Sequence, residues 1–206
     1  MEMLLYFNKT KSTYIHLNAP KESSIKEEGM TISIIIEDDQ GFPIFKDLKK
    51  NVVIYKTRIG PFRKKKCVLK EPLPKIEWQI LNERKKIGKY LCQKAVGKFE
   101  GRIYDACFTT EIPISSGPYK LSGLRGLILE ATSQDGRVSF LFKKLELTDN
   151  FDHQIVPPAE KLTFDSREEY NKANDELNQK MLLRAKAMGV DVQIHKPHPE
   201  SRIEKE

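Results

Sequence analysis

The residues best able to do chemistry in this sequence are its histidines, cysteines and acids. His195 and His198 are three residues apart and could share a metal ion, but they flank Pro197 in a polar tail with no third ligand near them. The sequence has no phosphate-binding loop and no GxSxG, HExxH or CxxC motif. We therefore predict no catalytic residues, no metal site and no cofactor. The alternative is an enzyme whose acids converge only in the folded chain.

Two of the three cysteines, Cys92 and Cys107, lie in a segment predicted to form a hairpin, residues 88–109. A two-residue loop at Phe99-Glu100, or a four-residue loop in the same register, would place them directly opposite each other. Their Cα atoms would then be about 4.5–5.5 Å apart, within the range of a disulfide. Two alternatives stay open: a cross-strand disulfide if the protein is exported, or two buried thiols. Cys67 is left without a partner in both.

The first 160 residues alternate short apolar segments with turn signals, of which Asp135-Gly136 is the strongest. This spacing is typical of strands joined by hairpins. We predict a mainly β, α+β fold: a curved antiparallel meander over residues 1–160, with a half-barrel as one arrangement left open. The predicted strands cover residues 31–37, 52–59, 67–69, 77–81, 88–98, 102–109, 127–132 and 137–147.

Residues 161–206 change character and predict a helix followed by a polar tail. Ser166 and Glu169 form a capping-box pattern, and Gly189 is typical of a helix end. Between them, apolar residues recur every three to four positions at Tyr170, Ala173, Leu177, Met181, Ala185 and Met188. Such a stripe favours packing against the sheet over display to a partner.

The net charge of +7 is concentrated in one segment, because residues 48–70 contain nine basic residues and no acid. A solvated strand and loop is the favoured interpretation. The alternative is a surface for nucleic acid or an anionic membrane. No stretch is long and apolar enough for a transmembrane segment, and the apolar run from Met3 ends before Asn8, so the chain as written has no export signal.

Residues 78–130 carry a dense set of ordered elements. They are Trp78, Gly88, Tyr90, Cys92, Ala95, Gly101, Arg102, Phe108, Ile112 and Pro113, followed by the loop residues Gly117, Pro118, Gly123, Leu124, Arg125 and Gly126. This segment resembles the GLPGLI family of Bacteroidetes proteins, named for a Gly-Leu-Pro-Gly-Leu-Ile loop. Two positions depart from the family: Arg125 replaces its proline, and Cys107 stands where the family usually has tryptophan.

The resemblance implies a protein of the periplasm or cell envelope with no assigned activity. The natural start would then lie upstream of Met1; otherwise the protein stays in the cytoplasm. We predict a non-enzymatic cell-envelope protein that binds an apolar ligand or a protein partner, whose identity the sequence leaves unknown. The glycines of residues 117–126 are interpreted either as a structural corner or as a loop that gates a pocket. A nucleic-acid or anionic-surface binder acting through residues 48–70 is the less favoured alternative.

Overall fold

The strands form two open sheets and a separate hairpin rather than a closed barrel. The structure, a computed structural model, describes residues 2–17, 22–27, 30–35, 43–63, 65–147 and 149–189. The prediction of a mainly β fold with a C-terminal helix is confirmed. The strands are β1 (Glu2–Phe7), β2 (Lys11–Leu17), β3 (Glu22–Glu27), β4 (Met30–Ile35), β5 (Ile44–Asp47), β6 (Val52–Ile59), β7 (Lys65–Pro72), β8 (Trp78–Ile87), β9 (Tyr90–Phe99), β10 (Arg102–Thr109), β11 (Leu127–Ser133), β12 (Ser139–Phe140) and β13 (Thr163–Phe164).

The first sheet has the order β1-β2-β5-β6-β7-β13 and is antiparallel except for β13, which pairs in parallel with β7. Its inner face carries a row in which Tyr14, Ile44, Tyr55 and Leu69 lie opposite one another in turn, and all four are buried. Side chains alternate between the two faces along β6, so Val53, Tyr55 and Ile59 reach the core while Lys56 points to the other side.

The second sheet has the order β12-β11-β10-β9-β8. Its inner face includes a row of three alanines, Ala95, Ala106 and Ala131, each with 0% of its surface exposed. Larger apolar residues surround this row, including Phe108 and Ile128. The predicted hairpin turn at Asp135-Gly136 is present between β11 and β12, but the strand predicted over residues 137–147 is only two residues long.

The remaining β-structure is the two-stranded pairing of β3 with β4. The strand predicted over residues 31–37 corresponds to β4, which ends at Ile35; the last two residues of that prediction fall outside the described part of the chain. Short 3-10 turns occur at Pro61–Arg63 and Asp149–Gln154.

The helix α1 (Arg167–Ala187) begins and ends where the sequence predicts. The Ser166 Oγ accepts a hydrogen bond from the Glu169 backbone N at 3.1 Å, and Gly189 follows the last turn with φ +73°. Only the first half of the apolar stripe packs on the first sheet, through Tyr170 and other residues up to Leu177. Towards the end of the helix Met188 is 79% exposed, so the second half lies beyond the sheet. Within the described residues, no helix combines the length and apolar character that crossing a bilayer requires.

Candidate functional site

The loop that carries the GLPGLI-like motif, residues 110–126, connects β10 to β11 and is packed into the molecule. Gly117 and Leu124 are buried, whereas Gly123 and Arg125 are exposed. A Cβ added to Gly126 would lie 2.1 Å from the Thr109 carbonyl oxygen, and one added to Gly117 would lie 2.7 Å from the Ile128 Cβ. The glycines therefore permit close approach of the chain to β10 and β11. The geometry favours a structural corner over a gate.

Trp78, at the start of the segment that resembles the family, is hydrogen-bonded to this loop at Ser122. Its indole Nε1 donates a hydrogen bond to the Ser122 carbonyl at 2.8 Å. Its ring covers Gly97, which lies opposite it in the register of β8 and β9, since a Cβ there would be 2.6 Å from the indole. Trp78 and Leu124 also pack into the same core cluster.

The other residues of the family-like segment are spread over the second sheet rather than gathered in one cleft. Ala95 and Phe108 belong to the core cluster of Trp78, whereas Tyr90, Cys92 and Ile112 belong to a second cluster near Gly88. Gly101 lies in the turn between β9 and β10. Arg102 and Pro118 are buried, and Pro113 is exposed. This distribution is typical of residues that support the fold rather than of residues that form one binding site.

Sequence reasoning missed Lys46, which lies on β5 with 0% of its surface exposed. Its Nζ donates to the Gly117 carbonyl at 2.6 Å and to the Leu121 carbonyl at 3.0 Å. Burial lowers the pKa of Lys46 to about 7, because desolvation penalises the charged amine. A second buried contact, Ser12 Oγ to Ser116 Oγ at 2.8 Å, joins the same two parts. These three hydrogen bonds fasten the loop to the first sheet.

A charged cluster attaches α1 to the first sheet. The Arg167 guanidinium donates to both carboxylate oxygens of Glu71, at 2.7 and 2.9 Å, and also contacts the Tyr55 hydroxyl. The Tyr55 hydroxyl donates to Glu71 at 2.5 Å. Burial raises the pKa of Tyr55. Burial also acts to raise the pKa of Glu71, but the hydrogen bonds from Arg167 and Tyr55 outweigh it, and that pKa is lowered.

A cleft opens on the outer face of the first sheet, between β2, β6 and the segment that follows the second 3-10 turn. Its volume is about 210 Å³. One wall includes Thr13, which is 3% exposed and whose Oγ1 is buried without a hydrogen-bond partner in the structure. Lys56 also lines the cleft, with its Nζ 3.2 Å from Glu160. The full lining is Thr13, Ile15, Pro43, Lys56, Gln154, Val156, Pro157, Pro158 and Ala159.

The predicted register of the cysteine hairpin is wrong. The two-residue loop is Glu100-Gly101, with φ +45° and +82°, so Phe99 pairs with Arg102 and Cys107 pairs with Lys94. Both loop residues of such a turn need a positive φ. Glycine adopts this conformation readily, whereas Phe99, which the prediction placed in the loop, is buried and does not adopt it.

Cys92 is consequently a diagonal neighbour of Cys107 rather than its opposite. Diagonal neighbours lie about 7–8 Å apart, beyond the roughly 4.4–6.8 Å that a disulfide spans. All three cysteines are buried free thiols. Burial raises the pKa of Cys67 and of Cys92 to about 11.

The basic segment 48–70 is partly neutralised by acids distant in sequence. Lys56 pairs with Glu160, and Lys70 lies 3.5 Å from Asp165. His195 and His198 lie outside the described residues. Within the described part of the chain, no group of three or more histidines, cysteines or acids is placed to hold a metal ion.

Comparisons with known proteins yield a likeness of fold. No family model and no curated protein matches the chain. A structure of PNGF-II in the C2 space group has a TM-score of 0.50 and 15% identity over 82% of this chain and 28% of that chain. The structure in the P21 space group has a TM-score of 0.45 and 14% identity, covering 83% and 30%. The chain therefore spans less than a third of PNGF-II, and the likeness concerns architecture alone. The GLPGLI resemblance stays a prediction.

Proposed function

We propose that this is a non-enzymatic cell-envelope protein that binds a protein partner through the cleft on the outer face of its first sheet. The placement in the envelope rests on the resemblance of residues 78–130 to the GLPGLI family. Partner binding rests on one observation above all: the cleft on the outer face of the first sheet is lined by Val156, Pro157 and Ala159, whose side chains are exposed.

The size of the cleft favours a partner over a free apolar ligand. Pockets that enclose a whole small molecule usually measure about 300–1,000 Å³, whereas this cleft measures about 210 Å³. Between the sheets, the inward-facing side chains pack into apolar clusters with one another. A surface site that takes one side chain of a larger partner agrees with both facts.

The internal charges support a binding protein rather than an enzyme. The Lys46 amine is bonded to two carbonyl oxygens of the 110–126 loop. The Glu71 carboxylate is bonded by Arg167 and Tyr55. Groups held in this way support the fold and have little freedom to bind or activate a substrate.

The nucleic-acid alternative has less support, because a lysine or arginine that binds a phosphate must first give up any ion pair with a carboxylate of its own chain. Lys56 and Lys70, both in the basic segment, already lie beside carboxylates of the same chain. Electrophoretic mobility of labelled DNA and RNA at low salt would test this alternative directly.

The proposal is tested by photo-crosslinking in the native host. A photoreactive residue at Val156, which is 54% exposed at the cleft, should capture a discrete protein, and Ala159→Trp, which fills the cleft, should abolish the product. Leu147, which is 66% exposed and does not line the cleft, provides the matched control position. Equal products from both positions, or a product at Val156 that survives Ala159→Trp, would contradict the proposal. Recovery of the protein in the cytoplasmic fraction would contradict its placement in the envelope.

A further inference from the structure

We propose that β1, the edge strand of the first sheet, pairs antiparallel with β1 of a second copy of this chain. This surface is separate from the cleft, so the inference goes beyond the proposed function and does not depend on it. It follows from the direction of the free backbone groups of β1, from a comparison with the other sheet edges and from the match of the strand with itself.

The backbone groups of alternate β1 residues point away from the sheet. The Asn8 backbone N–H donates to the Lys11 carbonyl at 2.9 Å, so Asn8 faces β2. Because backbone direction alternates along an antiparallel strand, Met3, Leu5 and Phe7 direct their N–H and carbonyl groups to the free side. Within the described residues, no strand or isolated bridge lies along this side, and no hydrogen bond reaches these backbone groups.

The other edges of the two large sheets carry features that block pairing with another strand. The edge strands β12 and β13 have two residues each. The strand β8 is longer, but its register shifts between Ile80 and Arg84, and its exposed residues 82–86 include one acid and three bases. Short strands, register irregularities and charges are the usual protection of an exposed edge.

The strand β1 lacks all three of these features. It has six residues in a continuous register with β2, and residues 3–7 carry no charge. Their side chains are half-buried on both faces of the sheet. Among the edges of the two large sheets in the described part of the chain, β1 is therefore the one suited to accept another strand.

A second copy of β1 fits this edge because the strand is complementary to itself. Two free edges form hydrogen bonds when outward-facing residues lie opposite one another, and a two-fold axis at Leu5 meets this condition. Leu5 then faces Leu5 of the second copy, Met3 faces Phe7, and Leu4 faces Tyr6. Every cross-strand pair joins apolar or aromatic residues, and the pairing buries no charge.

The contact is small, so we expect a weak dimer. Outward-facing groups at three positions of each strand allow about six hydrogen bonds between the copies. One strand from each copy buries less surface than the roughly 1,200–2,000 Å² of stable complexes. The dissociation constant should therefore lie in the micromolar range.

The first test is sedimentation equilibrium of the 206-residue protein from micromolar to millimolar concentration. Met3→Pro should weaken the dimer roughly 10- to 100-fold, because each copy loses an outward N–H donor. This N–H does not bond to β2, so thermal unfolding of the monomer should change little. A protein that stays monomeric at millimolar concentration, or a dimer of unchanged affinity in Met3→Pro, would overturn the inference.

The second test examines the register by disulfide trapping. Leu5→Cys places two thiols across the two-fold axis, with Cα atoms about 5.5 Å apart, and should give a covalent dimer on mild oxidation. Leu4→Cys is the matched control: its two copies are diagonal neighbours, about 7–8 Å apart, and should crosslink far less. The native cysteines are buried and should not contribute. Equal crosslinking of the two variants, or none in Leu5→Cys, would contradict the pairing.

Other occupants of this edge are separate outcomes. A photoreactive residue at Leu4 that captures only a different protein in the native host, while the isolated chain stays monomeric, would assign the edge to a strand of that protein and overturn self-pairing. A crosslink from Val156 that depends on the cleft would support the proposed function in either case, since Val156 lies in the cleft and not on β1.

Discussion

The Nζ atom of Lys46 lies 2.6 Å from the carbonyl oxygen of Gly117 and donates a hydrogen bond to it. Lys46, in the first sheet, thereby binds the 110–126 loop at Gly117. Other residues of this loop, Leu121 and Leu124, pack in the core cluster of the second sheet. Because the amine is fully buried and both of its acceptors are neutral carbonyls, its protonation is coupled directly to the stability of the fold.

We expect stability to rise between pH 7 and pH 9. The pKa of Lys46 is about 7 in the folded protein against 10.5 for an ordinary solvated lysine, so the unfolded chain binds more protons throughout this interval. The free energy of unfolding should gain about 2 kcal/mol from this group. Urea denaturation at the two pH values checks the slope.

Lys46→Met is the control for this effect. The variant lacks the titrating amine and should lose the pH-dependent gain, whatever its absolute stability. A slope equal to that of the wild type would show that Lys46 is not its source.

Gly126→Ala should destabilise the protein by about 3 kcal/mol or more, since the new Cβ would lie 2.1 Å from the Thr109 carbonyl oxygen and the backbone has little room to move. Gly136→Ala is the matched control: its φ of +72° costs roughly 1–2 kcal/mol, but nothing lies within 4 Å of the added atom. Denaturant melts of both variants give the comparison. Equal losses of unfolding free energy in the two variants would mean that the close approach of Gly126 to Thr109 does not contribute to stability.

Glu71→Gln should loosen α1 from the first sheet by removing the carboxylate that binds Arg167 and Tyr55. Hydrogen exchange of the first helical turns should accelerate, while Glu176→Gln, an exposed position on the same helix, should have little effect. Because the pKa of Glu71 is lowered on folding, its contribution is present above the unfolded pKa and is lost as the pH falls through the folded value. Acidification should therefore reduce the protection factors of these amides, which are corrected for the slower intrinsic exchange at low pH, more in the wild type than in Glu71→Gln.

All three thiols should be slow to react in the native protein at pH 8. Cys67 and Cys92 are 0% and 1% exposed, and Cys107 is 9% exposed. Burial also raises their pKa values, so little thiolate is present. Alkylation in denaturant without a reductant, followed by mass measurement, should add three groups. One added group would instead reveal a disulfide that consumes two of the cysteines.

The local elements of this protein can be predicted from its sequence. The β-branched residues of segment 52–59 predict β6, as observed, and Ser166, Glu169 and Gly189 predict the limits of α1. These signals act between neighbours along the chain, where β-branched side chains, a capping hydroxyl and the positive φ of glycine are sufficient. The loss of most of the strand predicted over residues 137–147 shows the limit of such reasoning, because a strand also needs a partner along its length.

Only the tertiary structure decided which residues meet. The cysteine register depended on whether Gly101 joined the turn, a shift that moved Cys107 from opposite Cys92 to a diagonal position. No pattern in the sequence singles out Lys46, yet it lies two residues after Ile44 on β5 and therefore shares its buried face. The cleft assembles Thr13 with residues more than 140 positions away. Such contacts depend on the packing of whole sheets and connecting segments, a property that no local pattern of residues encodes.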